Sequence, residues 1–340
     1  MLRTEMFLVG AAALAVTMST AATAQTGADF YKGKTLTYIV ATSPGGGHDL
    51  YARMMARNME RNLPGSTVVI KNVPGAGHII GANQVYAAKN DGLTIGTFST
   101  GLTYTQIIGH ESVKYDFTKF SWVGKQATDT RVLFMTNVSQ MTSWDKVLNA
   151  TRKIKLGTSG VGSGAYNESF MIAHAYKLNM DVLSGYSGPE AIMGMMRGEI
   201  DGRVGGLSSQ QEDGDTGTGA DVGQIVLQFG DPDMKDVPDG LKLAKTPLQE
   251  AVAKMMIGEG QLYRVVVGPP GVPQDRLDAL RTAFSKALTS AEYREEADKA
   301  NRPYDKVPVP ADVVQKMASD IINLPPEMAE LLKTITKSAK

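Results

Sequence analysis

The chain has 340 residues, 35 basic and 35 acidic, with a formal net charge of +0 and no cysteine. Balanced charge without a basic run speaks against a nucleic-acid partner, which needs clustered Lys and Arg. Zero cysteines exclude a disulfide framework, a thiolate metal site, a thiol nucleophile and a lipidated cysteine. The length exceeds what one hydrophobic core usually organises, so two domains are expected.

Met1–Thr4 carries Arg3, Met6–Val16 is almost wholly apolar, and Ala22-Thr23-Ala24 has the small-x-small pattern of a signal peptidase site before Gln25. Residues 1–24 therefore read as a cleaved signal peptide, and a bacterial-type periplasm is the expected compartment. The apolar run falls short of the ~20 residues that span a bilayer.

Thr35–Thr42 is a β-rich run, and Leu50–Leu63 follows with Leu50, Met54, Met55, Met59 and Leu63 at helical spacing. Val68–Asn72 reads as the next strand, Pro74-Gly75-Ala76-Gly77 as a turn, Ile79–Lys89 as a helix and Leu93–Ser99 as a strand after Asn90-Asp91-Gly92. This alternation predicts a doubly wound α/β lobe with a mainly parallel sheet. Trp122–Thr136 is long and apolar enough to leave one lobe for another. A second unit opens with Lys153–Thr158 as strand, Ser159–Gly164 as turn and Tyr166–Leu178 as helix. Ile225–Phe229 and Tyr263–Val267 are expected strands, Asp275–Leu288 a helix, Thr289 and Glu292 a capping box, and Asp312–Ile322 a further helix.

Two Gly-rich turns open helices. Such a turn leaves backbone N–H groups pointing one way, where the helix dipole adds partial positive charge, so an anion fits there. In the first, Gly45, Gly46 and Gly47 allow close approach to the main chain, His48 stands beside it, and Asp49 caps the helix or accepts from a ligand. In the second, Gly160, Gly162 and Gly164 alternate with other residues, Ser159 and Ser163 offer hydroxyls, and Tyr166 lies just inside the helix. Neither turn is a P-loop or a GxGxxG fingerprint, so no nucleotide cofactor is expected. The four histidines are scattered, with no HExxH and no GxSxG elbow, which argues against a zinc site and a serine hydrolase. Arg131, Arg203 and Arg264 are candidate carboxylate forks, Arg203 foremost because it adjoins RGEIDGRV.

SPGGGHDLYAR, VVIKNVPGAGHIIGAN, NDGLTIG, YDFTKFSWVG, GTSGVGSG, GYSGPEAIMGMMRGEIDG and GPPGVPQDRLDALRTAF resemble, in this order, the successive motifs of the tripartite tricarboxylate transporter solute receptors, also called Bug proteins. The resemblance implies a periplasmic solute-binding protein rather than an enzyme: an α/β, two-lobed Venus-flytrap fold, type II-like, with crossing strands between lobes. Residues 25–132 and 244–340 would form lobe 1, and 133–243 lobe 2. The receptor would close on a small carboxylate, a di- or tricarboxylate or an aromatic acid, and deliver it as a monomer to a membrane permease. A sensing subunit would use the same trap, and a secreted α/β enzyme acting on small acids is the remaining alternative. By similarity Ser43, Pro44, Gly45, Gly46, Gly47 and Asp49 form one wall and Ser159, Gly160, Gly162 and Ser163 the other. Thr100, Tyr186, Asp201 and Gly205 complete the cleft. Ala165-Tyr166 stands where relatives usually carry a His after the second loop, and Gly185-Tyr186-Ser187-Gly188 replaces the usual PYKG-like motif, which places the departures where ligand identity is decided.

Overall fold

Every second residue of the strand Thr35–Val40 (β1) is apolar and buried on one face, with Leu36, Tyr38 and Val40 fully enclosed, while Ile39 packs on the other. A strand buried on both faces needs helices above and below it. They are supplied by the remaining elements of a computed structural model that describes residues 27–161, 163–186, 189–211, 222–323, 329–330 and 332–334. The expected signal peptide, Gly162 and the dipeptide 187–188 lie outside the described residues.

The first half continues with α1 (Gly47–Asn62), β2 (Thr67–Asn72), α2 (Ile79–Tyr86), β3 (Thr94–Thr97), α3 (Leu102–Ile107) and β4 (Ser121–Lys125). Then come β5 (Arg131–Thr136), α4 (Trp144–Leu148), β6 (Ile154–Thr158), α5 (Gly164–Tyr176), β7 (Met180–Ser184), α6 (Pro189–Met196), β8 (Gly202–Gly206), α7 (Leu207–Gln211) and β9 (Gly223–Phe229). The chain ends with α8 (Pro247–Gln261), β10 (Val265–Gly268), α9 (Gln274–Thr289), α10 (Ala291–Lys299) and α11 (Ala311–Ile322). The strands make two sheets, ordered β2-β1-β3-β10-β4 and β7-β6-β8-β5-β9. In the first, β1 pairs parallel with β2 and β3, and β10 runs antiparallel between β3 and β4. In the second, β6 pairs parallel with β7 and β8, and β5 runs antiparallel to β8 and β9.

The first sheet is covered on both faces. Tyr38, Met54, Met55, Met59, Phe284, Leu288 and Tyr293 fill the layer under α1, α9 and α10, and Phe98, Phe117, Phe120, Trp122, Val314 and Ala318 fill the layer under α2, α3 and α11. Each such side chain contributes about 1.5–3 kcal/mol by leaving water. The second core joins Leu133, Met135, Leu156, Met171 and Ile172 with Val252, Ala253, Met255 and Met256 of α8. That helix lies beyond residue 243 in the chain and packs on α5, β5 and β9.

Two chain passages connect the sheets, β4 to β5 through residues 126–130 and α8 to β10 through 262–264. They are stitched to each other by Gln126 N–H donating to the Arg264 carbonyl at 3.1 Å and Asp129 N–H to the Gly260 carbonyl at 3.0 Å. The expected Thr289 cap shifts by one residue: Ser290 is the N-cap of α10, accepting from Tyr293 N–H at 3.2 Å, while the Thr289 hydroxyl bonds back to Ser285 within α9. No helix among the described residues is long and apolar enough to cross a membrane.

Candidate ligand-binding cleft

A cavity of about 910 Å³ separates the two sheets and is lined from both sides. The loop after β1 forms one wall. Gly45 takes φ +87°, a left-handed conformation that glycine alone adopts at no steric cost. The turn lets Gly45 N–H donate to Asp49 Oδ2 at 3.0 Å. The N-cap Gly46 has no side chain to bond the first-turn N–H groups of α1, and Gly46, Gly47 and His48 line the cleft at this helix start.

On the other wall Ser163 is the N-cap of α5, its Oγ accepting from Tyr166 N–H at 3.2 Å, which leaves its O–H as a donor at the cleft. Ser159, Gly164 and Ala165 line the same end. The two helix starts therefore meet one space from opposite lobes. The lobes also touch directly: a Cβ on Gly77 would lie 2.6 Å from the Ser163 nitrogen.

The lining is basic, with Arg131, Arg203, Arg264 and Arg302 against Glu259 as its acidic side chain. Arg264 donates through Nη1 to His48 Nδ1 at 2.7 Å, and its guanidinium lies 4.0 Å from the Tyr263 ring centroid and 5.0 Å from that of Tyr51. His48 and His78 meet edge to face at 5.1 Å. Burial, with Arg264 and His78 adding to it, holds the His48 imidazole well below its usual range, and burial with Arg264 pushes His78 down to about 4. Both rings are thus neutral at pH 7, and His78 Nδ1 accepts from Ser99 N–H at 3.1 Å. Arg131 is buried against Glu168, with Nε 3.0 Å from Oε1. Burial, then Glu168, raises the nearby Glu259 carboxyl well above the usual carboxylate range despite Arg131. The result is a cleft with surplus positive charge and N–H donors, suited to an anion.

Of the residues expected at the site, Ser43, Pro44, Gly45, Gly46, Gly47, His48, Thr100, Ser159, Ser163, Tyr186, Arg203 and Gly205 line this space. The structure does not bring Asp49, Gly160, Tyr166 or Asp201 to it. Asp49 sits behind the loop, accepting from Gly45 N–H, Arg53 Nε at 2.8 Å and Asn72 Nδ2 at 2.9 Å. Burial raises its carboxyl, and those hydrogen bonds more than offset the effect and hold it below the usual range. Gly160 is turned against Gly77, whose nitrogen would lie 3.2 Å from its Cβ. The Tyr166 ring packs on Phe170 at 4.8 Å. Asp201 precedes β8 and is clamped by Arg152 at 2.7 and 2.8 Å. Gly162 is outside the described residues.

Sequence reasoning passed over His78, Tyr263, Gln210, Ile192, Met193 and Met196, and named Arg131 and Arg264 without selecting them, yet all line the cleft. The signal for His78 was its place directly after the Pro74-Gly75-Ala76-Gly77 turn, and for Arg264 its place where the chain re-enters the first sheet. Arg203 donates from Nε to Gln210 Oε1 at 2.6 Å.

Residues 51–216 match the family described as "Tripartite tricarboxylate transporter family receptor". A protein encoded in the tcbD-tcbE intergenic region of Pseudomonas sp. strain P51 is 26% identical over 291 residues, covering 84% of this chain and 82% of that protein. Among solved structures, the periplasmic binding protein BugD superposes with TM-score 0.69 at 18% identity, covering 90% of this chain and 98% of BugD. MatC from Rhodopseudomonas palustris with bound malate gives TM-score 0.69 at 19% identity, covering 89% of this chain and 99% of MatC.

Proposed function

Because the chain belongs to the tripartite tricarboxylate transporter receptor family, a family of solute-binding receptors and not of enzymes, we propose that it traps a small carboxylate between its lobes and passes it to a permease of that transporter class. The observation that carries this reading is the meeting of the α1 and α5 N-termini in one basic cleft. Backbone N–H groups and helix dipoles favour a carboxylate from each side, and Arg264 adds a fork of donors. Malate in MatC is the same chemical class.

The receptor works by hinge closure. One helix start holds the anion in the open form, and rotation about residues 126–130 and 262–264 brings the second onto it. A ligand that touches both walls only when they close shifts the equilibrium toward the closed form, whose surface the permease reads. Lobe 1 then comprises the first sheet with α9 to α11, and lobe 2 the second sheet with α8. Export through the signal peptide 1–24 places the receptor, as a monomer, in the periplasm.

A thermal-shift screen of residues 25–340 against mono-, di- and tricarboxylates, with amides and sugars as controls, tests the reading. A ligand at about 100 times its Kd adds roughly 2.7 kcal/mol of stability. Stabilisation by carboxylates alone is the expected result; stabilisation only by neutral controls overturns it.

A further inference from the structure

The two walls of the cleft differ along one strip. The first lobe presents Gly45, Gly46, His48, Ser99, Thr100 and Arg264, with Pro44, Phe98 and Tyr263 beside them. The second presents the polar Ser159, Ser163 and Arg203 and, next to them, an apolar strip on α6. Ile192, Met193 and Met196 share one side of this helix by their spacing of three and four residues, and all three line the cleft. Another side of α6 is spent on packing, with Met195 buried against Phe134 and Ile200 and Ala191 buried as well. Met193 and Met196 are 48% and 58% exposed and stand at the cavity edge.

Tyr186 extends the same wall. Its side chain packs closely on Gly194 and Gly157: a Cβ on Gly194 would stand 2.6 Å from Tyr186 Cε1, and one on Gly157 would stand 3.3 Å from Cγ. The absence of side chains at these two glycines makes room for the ring on the lobe, and the ring borders the cavity. Its hydroxyl is 3.4 Å from Glu199 Oε2, at an exposed position. A ligand with hydroxyls or extra carboxylates along its length would strip water from those groups against Ile192, Met193 and Met196, which return no hydrogen bond. A ring or hydrocarbon would instead gain contact with adaptable methionines and a tyrosine face.

We infer that the cleft selects a carboxylate with an apolar body, its charged end on the α1 loop and Arg264 and its body against Tyr186, Ile192, Met193 and Met196. This rests on the carboxylate reading above and narrows it away from hydroxylated di- and tricarboxylates.

Calorimetric titration of residues 25–340 with benzoate, cyclohexanecarboxylate, citrate and tartrate tests it, alongside Met193→Ser, Met196→Ser and the double variant. Benzoate and cyclohexanecarboxylate should bind at least about ten-fold tighter than citrate and tartrate, and the double variant should lose about ten-fold or more for the apolar acids alone. Tighter binding of citrate or tartrate, or an equal loss for every acid, overturns the inference while leaving a carboxylate receptor in place. Binding of none of the four acids, with stabilisation by the amide or sugar controls of the thermal-shift screen, overturns both. The methionines are exposed, and unchanged circular dichroism and melting of the variants separate a lost wall from a lost fold.

Discussion

Gly101, at the start of α3 in the first lobe, and Gly164, opening α5 in the second, approach so closely that a Cβ on Gly101 would overlap the Cα of Gly164. The obstacle is main chain, which cannot swing aside as a side chain would. Gly101→Ala should therefore force the lobes apart, at a cost of about 1–3 kcal/mol typical of overpacking. Ligand affinity should fall about ten-fold or more while each lobe stays folded. Titration with small-angle scattering checks this; unchanged affinity and radius would show that closure does not use the contact.

Arg264 is held by His48 and by the faces of Tyr51 and Tyr263. Lysine keeps the charge and loses the planar fork. Arg264→Lys should weaken carboxylate binding by about 1.5–3 kcal/mol, the worth of hydrogen bonds to a charged group. Calorimetry at fixed salt reads it, and parental affinity would place the anion elsewhere in the cleft.

Asp49 supports the first loop without reaching the cleft, so its removal should act first on stability. Asp49→Ala leaves Gly45, Arg53 and Asn72 without their shared acceptor and should cost about 1–3 kcal/mol in denaturant unfolding. Asp49→Asn, which retains one acceptor oxygen, should recover part of that. A fully stable Ala variant with abolished binding would instead argue for direct contact with ligand.

His78 gives the fold a pH dependence of known sign. Its pKa falls from 6.5 to about 4 on folding, so the unfolded chain binds the proton more readily. The neutral ring's contribution is full above the unfolded value and is lost as pH drops from about 6.5 toward 4, levelling below that. His78 also takes φ +81°, which Asn tolerates better than most residues. His78→Asn should flatten the melting temperature between pH 7 and 4.5; an unchanged slope would assign it to other groups.

Glu168 is fully buried against Arg131. Glu168→Gln strands a guanidinium at the hinge side of the second core and should cost about 3–5 kcal/mol, measured by chemical denaturation. A loss below about 1 kcal/mol would mean that Glu259 takes over the pairing.

The strand-turn-helix rhythm was legible because strands buried on both faces and helices with a periodic apolar face leave distinct patterns: Thr35–Thr42 and Leu50–Leu63 fall within a few residues of β1 and α1. The Gly turns were legible for the same local reason, since a left-handed Gly45 before a helix is written in the residues themselves. What stayed hidden depends on distant parts of the chain. His78 meets His48 because β2 pairs beside β1, and Arg264 reaches His48 across 216 positions because β10 inserts into the first sheet. Asp49 was placed on the wall by the family resemblance, while its own first-turn position read equally as cap or contact; Gly45, Arg53 and Asn72 on β2 hold it behind the loop. Met193 and Met196 looked like core methionines, and only the packing of Met195 inward shows that their side of α6 faces the cavity.

The strand order β2-β1-β3-β10-β4 has a consequence for how the chain acquires its shape during synthesis. β4 cannot join its sheet until β10 is available to fill the gap beside β3, and β10 emerges from the ribosome only after the whole of the second sheet and α8. The first sheet thus lacks the strand that joins β4 to β3 until residue 268 has been made, and its completion from the N-terminus alone is blocked by connectivity. A nascent chain so arranged stays unfinished for most of its translation, the condition a polypeptide needs if it is to be threaded through a narrow translocation pore before it folds.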